Sequence, residues 1–449
     1  MNTPIYDFAR KYAENSPVRM HMPAHKGKSI LGCESLDITE IVGADELFAP
    51  EGIIAESEKN ASELFGCPTF YSAEGSSLCI RTMLYLAVKY AVSQGKTPVI
   101  AAMRNAHRSF MTAAVLLDFQ PLWVYGNADD GMLSQHITAE KLDDFFRTAS
   151  PEPTAFYITS PDYLGNISDI PAISEVCRRY GVLLLVDNAH GAYLHFLEPS
   201  QHPIALGADI CCDSAHKTLP VLTGGAYIHF ALKYSGFFVP IVKNAMSYFA
   251  STSPSYLILE SLDICNGILA AEFSEKLNQL CVKLDSVRSA LTEKGWIFCG
   301  NEPAKLTLCA KKYGYYGTEI AEILNQNGII HEFADKDHVV LMLSYLNSFL
   351  EIEKMRDILL DIPKKPEIKE TAPCVCDAEF AVTSRQAAFS DCERIAVAEC
   401  EGRICAETAY SCPPAVPIVF CGERITAKAI ECFEYYGISD CLVTKGNTV

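Results

Sequence analysis

The sequence has no Cys-x-x-Cys motif, although 19 of its 449 residues are cysteine. The Cys211-Cys212 and Cys374-Val375-Cys376 pairs make no ladder of paired zinc ligands, so no metal is expected. No apolar run is long enough to cross a bilayer. The first residues, MNTPIYDFARKYAENSP, hold no apolar signal core. Many thiols without a signal predict a reducing, cytoplasmic setting, with most cysteines as small buried hydrophobes. Positive charge is short: 37 Lys and Arg face 55 Asp and Glu, a net charge of −18. That balance repels phosphate backbones and disfavours a nucleic-acid partner. There is no internal repeat and no low-complexity tract. What is present, 49% hydrophobic and 20% charged residues, is the composition of a globular enzyme, at a length that predicts two or three domains.

Residues 51–295 read as a large α/β domain after an N-terminal segment, 1–50. EGIIAESEKNASELFG (51–66) predicts an amphipathic helix closed by Gly66. Buried strands then alternate with helices: TFYS, TPVIAAM, QPLWVYG, TAFYITS, GVLLLVDNA, ADICCDS and GAYIHF are the strands. The alternation predicts a mostly parallel sheet covered on both faces. One long helical stretch is expected over about 254–295. Residues 296–362 read as a smaller α/β domain, 363–373 (PKKPEIKETAP) as a linker, and 374–449 as a C-terminal domain. That last segment should contain helix and, in CPPAVPIVFCGERI (412–425), a Pro-rich turn with an apolar strand.

Four segments carry chemistry. In DSAHKTLPVLTGG (213–225), Lys217 follows a buried strand, where open α/β sheets place ligands. Partial desolvation there would free its amine for Schiff-base formation; by itself the segment fits a surface lysine equally well. In LLLVDNAHGAY (183–193), Asp187 ends an apolar strand and needs a cationic partner. A pyridinium nitrogen is one such partner, a helix cap the plainer alternative. Ala189 is small enough to let a flat ring lie against the backbone. In YSAEGSSLCIRT (71–82), Gly75-Ser76-Ser77 between strand and helix suits a phosphate, or ordinary capping. In MRNAHRSF (103–110), His107 is placed to stack on an aromatic ring, or to serve the local fold. The order of these elements, each just past a strand, favours a single pyridoxal 5'-phosphate (PLP) site.

With those residues in view, the chain resembles the Orn/Lys/Arg decarboxylase family of fold-type I PLP enzymes, in its shorter Gram-positive-type branch. The likeness rests on RMHMPAHKG (19–27), LDITEIVGADELFAPEGII (36–54), RNAHRS (104–109), SPDYLGNISDI (160–170), VDNAHGAY (186–193), DSAHKTLPVLTGGAYIH (213–229), STSPSYLILESLD (251–263) and CPPAVPIVFCGERI (412–425). It implies an aspartate aminotransferase-like large domain with a seven-stranded, mostly parallel sheet. Lys217 would hold the cofactor, Asp187 its pyridine nitrogen, and His107 and Ala189 its two faces. His190 would line the reacting carbon, with Ser76, Ser77, Ser214 and His216 on the phosphate. The resemblance also implies a homodimer with a shared active site, in which Thr252 or Ser253 reaches the partner's cofactor. Glu423 would meet the distal cation of a basic amino acid, with Asp45 and Glu46 as further acids.

Three positions depart from the family pattern. Glu74 stands where Gly is common, Ala24 where Gly is usual and Cys421 where Pro is usual. Glu74 would repel a phosphate unless Arg81 or another cation offsets it or it turns away. Another fold-type I PLP enzyme, an aminotransferase or aldolase-type lyase, or a weakly active PLP-binding relative, stays open at this stage. The His25-Lys26 pair lies ahead of the sheet and reads as structural or as a pocket edge.

Overall fold

The computed structural model describes residues 1–127, 130–374, 378–409 and 415–446. Seven strands make the main sheet: β1 (Thr69–Ser72), β2 (Ile100–Met103), β3 (Leu122–Val124), β4 (Ala155–Thr159), β5 (Leu183–Asp187), β6 (Ile210–Asp213) and β7 (Ala226–Phe230). Their order is β1-β7-β6-β5-β4-β2-β3. β5 pairs with β6, and β2 with β3 and β4, in parallel; β7 runs antiparallel to β1 and β6. Every residue of β2, β5 and β6 is buried. Near-continuous apolar strands belong in a sheet covered on both faces, as the sequence pattern anticipates.

The chain divides into two compact units, Met1–Lys96 with Leu183–Lys276, and Thr97–Val182 with Leu277–Val449. The first contains β1 and β5–β7 with helices α1 (Pro4–Glu14), α2 (Ile53–Phe65) and α3 (Gly75–Ser93). α2 ends at Gly66, whose φ of 66° is the left-handed C-cap that glycine favours. α1 is tied down by Asp263, whose Oδ2 accepts from the backbone N–H groups of Ile5 (2.9 Å) and Tyr6 (3.0 Å). These are donors that a helix start leaves without intrahelical partners. The expected single helical stretch over 254–295 is instead two helices, Tyr256–Ala271 and Phe273–Lys294, interrupted at Glu272.

The second unit contains β2–β4, helix α4 (Arg108–Leu117) and two smaller sheets. One has four strands, β8 (Phe298–Cys299), β9 (Lys305–Cys309), β10 (Phe333–Ala334) and β11 (His338–Met342), in the order β10-β11-β9-β8. The other pairs β12 (Cys392–Ala396) with β13 (Asp440–Thr444) in antiparallel. Cys400, Cys405, Cys432 and Cys441 pack with Val397 and Val443 in the core beside it, as small apolar side chains.

The expected strand in 412–425 does not form over the described part, 415–425, while residues 412–414 lie outside the described residues. Pro417 has no N–H to offer a ladder. The carbonyls of Pro417 and Ile418 are taken instead by the Arg104 guanidinium, at 3.0 and 2.8 Å. The Phe420 N–H goes to the Glu423 carboxylate at 2.6 Å. Side chains satisfy this backbone where a neighbouring strand would have.

Candidate active site

The parallel strands β5 and β6 end side by side, and chemistry collects at their carboxyl ends. Asp187 is the last residue of β5 and only 2% exposed. Its Oδ1 accepts from the Ala189 N–H at 3.2 Å. The chain then turns through Ala189 and His190, both buried. From β6 it passes through Ser214 into the one-turn helix Ala215–Thr218, which carries Lys217. Lys217 Nζ lies 3.0 Å from His190 Nε2. Lys217 is exposed in the single chain, so the desolvation expected for it is not supplied by the chain itself.

An anion cradle lies in the same unit. Gly75 opens α3 with φ 71°, in the left-handed region, and its N–H donates to the Gly224 carbonyl at 2.6 Å. A side chain at Gly224, also left-handed at φ 105°, would come within 3.0 Å of the Ala73 carbonyl oxygen. This turn therefore needs both glycines. The side chain of the N-cap residue, Glu74, does not cap α3, and the start of a helix favours an anion. The Ser214 hydroxyl donates to that of Ser76 at 2.8 Å, and Ser77 follows in the first turn. His216 is turned to the Gly225 carbonyl through Nδ1 (3.1 Å), and burial holds its pKa below the ordinary value. Glu74 does not face this cradle: its carboxylate accepts from the Ser251 N–H at 2.7 Å. That orientation is one of the two ways in which the expected repulsion could be relieved.

Asp213, which sequence reasoning passed over, braces both strand ends. It is fully buried at the end of β6. It accepts from Asn188 Nδ2 at 2.7 Å and meets Nε2 of His202 (3.0 Å) and of His229 (3.1 Å). Burial opposes its ionisation, yet the charges and hydrogen bonds of the two histidines outweigh that and hold its carboxyl well below the usual range. Asn188 follows Asp187 and Ser214 follows Asp213, so this network fixes the loops carrying His190 and Lys217. The available signal was a carboxylate closing the apolar run Ile210-Cys211-Cys212.

Other candidates fall elsewhere or change character. His107 caps α4, its Nδ1 accepting from the Ser109 N–H at 3.1 Å, which fixes the ring. Thr252 and Ser253 lie in an exposed loop. Glu423, the acid expected to meet the substrate's distal cation, lies inside the chain. Glu423 is fully buried and paired with Arg104 at 3.1 Å, and its other oxygen accepts from Trp123 Nε1 at 2.6 Å. An internal cation already occupies it. Asp45 is likewise spent: it accepts from the N–H groups of Glu51 (3.0 Å), Gly52 (2.8 Å) and Ile54 (3.0 Å), capping α2. Glu46 is exposed. Cys421, buried, donates its thiol to the Ser384 carbonyl at 3.4 Å. His25 pairs with Asp37 at 3.1 Å, and Lys26 reaches the His21 carbonyl at 2.5 Å, both contacts within the N-terminal segment.

The donor set suits PLP. A lysine amine, a buried carboxylate one strand away and converging hydroxyls at a helix start are three distinct needs of a phosphorylated pyridine aldehyde. Comparison with known families agrees. The model for the Orn/Lys/Arg decarboxylase major domain matches residues 3–308, and that for the C-terminal domain matches 375–441. The chain belongs to the Orn/Lys/Arg decarboxylase family. Similar curated proteins include the arginine decarboxylase of Bacillus subtilis, 28% identical over 95% of this chain and 92% of that one. The arginine decarboxylase of Halalkalibacterium halodurans is also 28% identical, over 94% and 91%. Among solved structures, the E. coli constitutive lysine decarboxylase superposes with a TM-score of 0.75 at 16% identity, covering 99% of this chain and 82% of that one. Francisella novicida lysine decarboxylase gives 0.78 at 15%, covering 99% and 81%. At those identities the likeness is one of fold. As a member of the Orn/Lys/Arg decarboxylase family, the protein is a PLP-dependent decarboxylase acting on a basic amino acid.

Proposed function

We propose that this decarboxylase converts arginine, lysine or ornithine, with arginine first among them, to carbon dioxide and an amine that serves as a di- or polyamine precursor. The observation that carries the site assignment is the 3.0 Å approach of Lys217 Nζ to His190 Nε2, beside the buried Asp187. The preference for arginine is supported by the names of the Bacillus and Halalkalibacterium relatives. When bound, PLP accepts the electron pair released as the bond from Cα to the carboxylate breaks.

The chain's own residues divide the remaining work. Lys217 would hold the cofactor through its side-chain amine. Asp187 keeps a proton on the pyridine nitrogen, which its negative charge stabilises. Gly75, Ser76, Ser77, Ser214 and His216 hold the phosphate at the start of α3. His107 and Ala189 cover the two ring faces. His190 and Lys217 hold the proton that returns to Cα, passed between Nε2 and Nζ. We place the enzyme in the cytoplasm as a homodimer, with Thr252 and Ser253 reaching the partner's cofactor. Among the described residues no helix is long and apolar enough to cross a membrane.

The test is carbon dioxide release by the purified holoenzyme with arginine, lysine and ornithine side by side. Release from one of the three at a clear kcat/KM advantage is the expected result. Amino transfer without carbon dioxide, or no turnover of any of the three, would overturn the reading.

A further inference from the structure

The four-stranded sheet of the second unit brings together three soft ligands remote in sequence. His338 at the start of β11 pairs directly with Cys309 at the end of β9. Cys299 on β8 pairs with Thr307, two residues before Cys309. Directly opposed residues share a sheet face, as do residues two apart along a strand. Cys299, Cys309 and His338 therefore project from one face across three adjacent strands. Their ligand atoms all lie within 4.8 Å of one another. Tetrahedral zinc with bonds of about 2.0–2.3 Å needs ligand atoms about 3.3–3.8 Å apart, so closure by about 1 Å suffices.

Asp335, in the turn between β10 and β11, adds an independent observation. Its side chain is 9% exposed, and its Oδ1 accepts from the N–H groups of Asp337 and His338, both at 2.7 Å. Its Oδ2 is buried without a hydrogen-bond partner, and its Oδ1 also lies 3.5 Å from His338 Nδ1. A carboxylate beside a metal-ligating imidazole is the usual outer partner of such a histidine. Nearby cations are already neutralised: Lys311 pairs with Asp337 (3.0 Å) and Glu370 (3.2 Å), and Lys312 with Glu367 (2.5 Å). Cys309, Asp335 and His338 also line a cavity of about 960 Å³, which gives an ion a way in.

We propose that Cys299, Cys309 and His338 form a binding site for a zinc-class divalent cation, with the fourth position left to Asp335 or water. Two thiolates and an imidazole select a borderline-soft ion over magnesium or calcium. The ion would staple β8, β9 and β11 together, apart from the residues assigned to PLP.

Cobalt(II) titration of the chelator-treated holoenzyme, read as a difference spectrum against the same protein without cobalt, tests this. One equivalent should bring the strong visible bands of tetrahedral cobalt and a thiolate charge-transfer band, and excess zinc should remove both. The Cys299→Ser/Cys309→Ser double variant and His338→Ala should lose these bands, and Asp335→Asn should bind about tenfold more weakly. Mass-spectrometric mapping of alkylation on the unaltered chain keeps the test independent of variant folding. Zinc should protect Cys299 and Cys309 and leave the exposed Cys33 reactive. No tetrahedral bands, bands that survive in the double variant, or equal alkylation with and without zinc would each overturn the site. So would a Cys299–Cys309 disulfide in protein purified under reductant.

Discussion

Lys217 and His190 meet across the ends of two neighbouring parallel strands, Nζ to Nε2 at 3.0 Å. A base within hydrogen-bond reach of the amine can take and return its proton as the substrate arrives and the product leaves. Lys217→Ala should therefore leave no PLP fixed to the chain by borohydride reduction. His190→Gln should still fix PLP at Lys217 while kcat falls about 10²- to 10⁴-fold. Borohydride attachment persisting in Lys217→Ala would remove that lysine from its role.

Asp187 is buried at the end of β5. Asp187→Ala should lower kcat by about 10³-fold, roughly 4 kcal/mol of transition-state stabilisation. PLP absorbance on the protein should also change as the ring nitrogen loses its proton. A near-normal rate in a variant that still binds PLP would count against the pairing.

Glu423 and Arg104 are each at most 1% exposed and lie 3.1 Å apart. Glu423→Gln should destabilise the protein by about 3–5 kcal/mol, because it strands a buried guanidinium. The KM for the basic substrate should change little. A large rise in KM with an unchanged melting temperature would instead mark Glu423 as the acid that reads the substrate.

Glu260 gives a pH dependence with a definite sign. Burial, and then the charges of Asp37 and Asp263, push its carboxyl up to about 8. The folded chain keeps a proton that the unfolded chain gives up near the ordinary value of 4.5. Stability is therefore fully present below that pH and falls as pH rises toward the folded value. Glu260→Gln should match the parent at about pH 5 and exceed it by on the order of 1–3 kcal/mol at about pH 9. Thermal unfolding of both proteins across that range checks it; equal curves at high pH would refute the assignment.

Glu74 holds the exposed 251–253 loop through the Ser251 N–H at 2.7 Å. Glu74→Gln keeps an acceptor and should leave cofactor affinity within about twofold. Glu74→Ala frees the loop and should cost about 0.5–1.5 kcal/mol at that contact. Measuring PLP release from each variant separates a tether from a charge effect. Tighter PLP binding in both would mean that the charge opposes the phosphate.

The sequence by itself determined the class of fold and the cofactor chemistry. Apolar runs such as Leu183–Asp187 and Ile210–Asp213 announce buried strands, because local pattern and burial are tightly coupled. Asp187 ends such a strand, and Lys217 and Gly75–Ser77 follow one, so their clustering could be anticipated without coordinates. Only the tertiary structure decided which polar groups were already spoken for. Glu423 and Asp45 look in sequence like available acids, but Arg104, 319 residues from Glu423, and the start of α2 occupy them. Asp213 became visible as a brace only when His202 and His229 came within reach. Cys299, Cys309 and His338 have no recognisable spacing, since their proximity comes from strand register rather than from a local motif. A buried charge must find its partner wherever the chain brings one, and that pairing carries no sequence period to read.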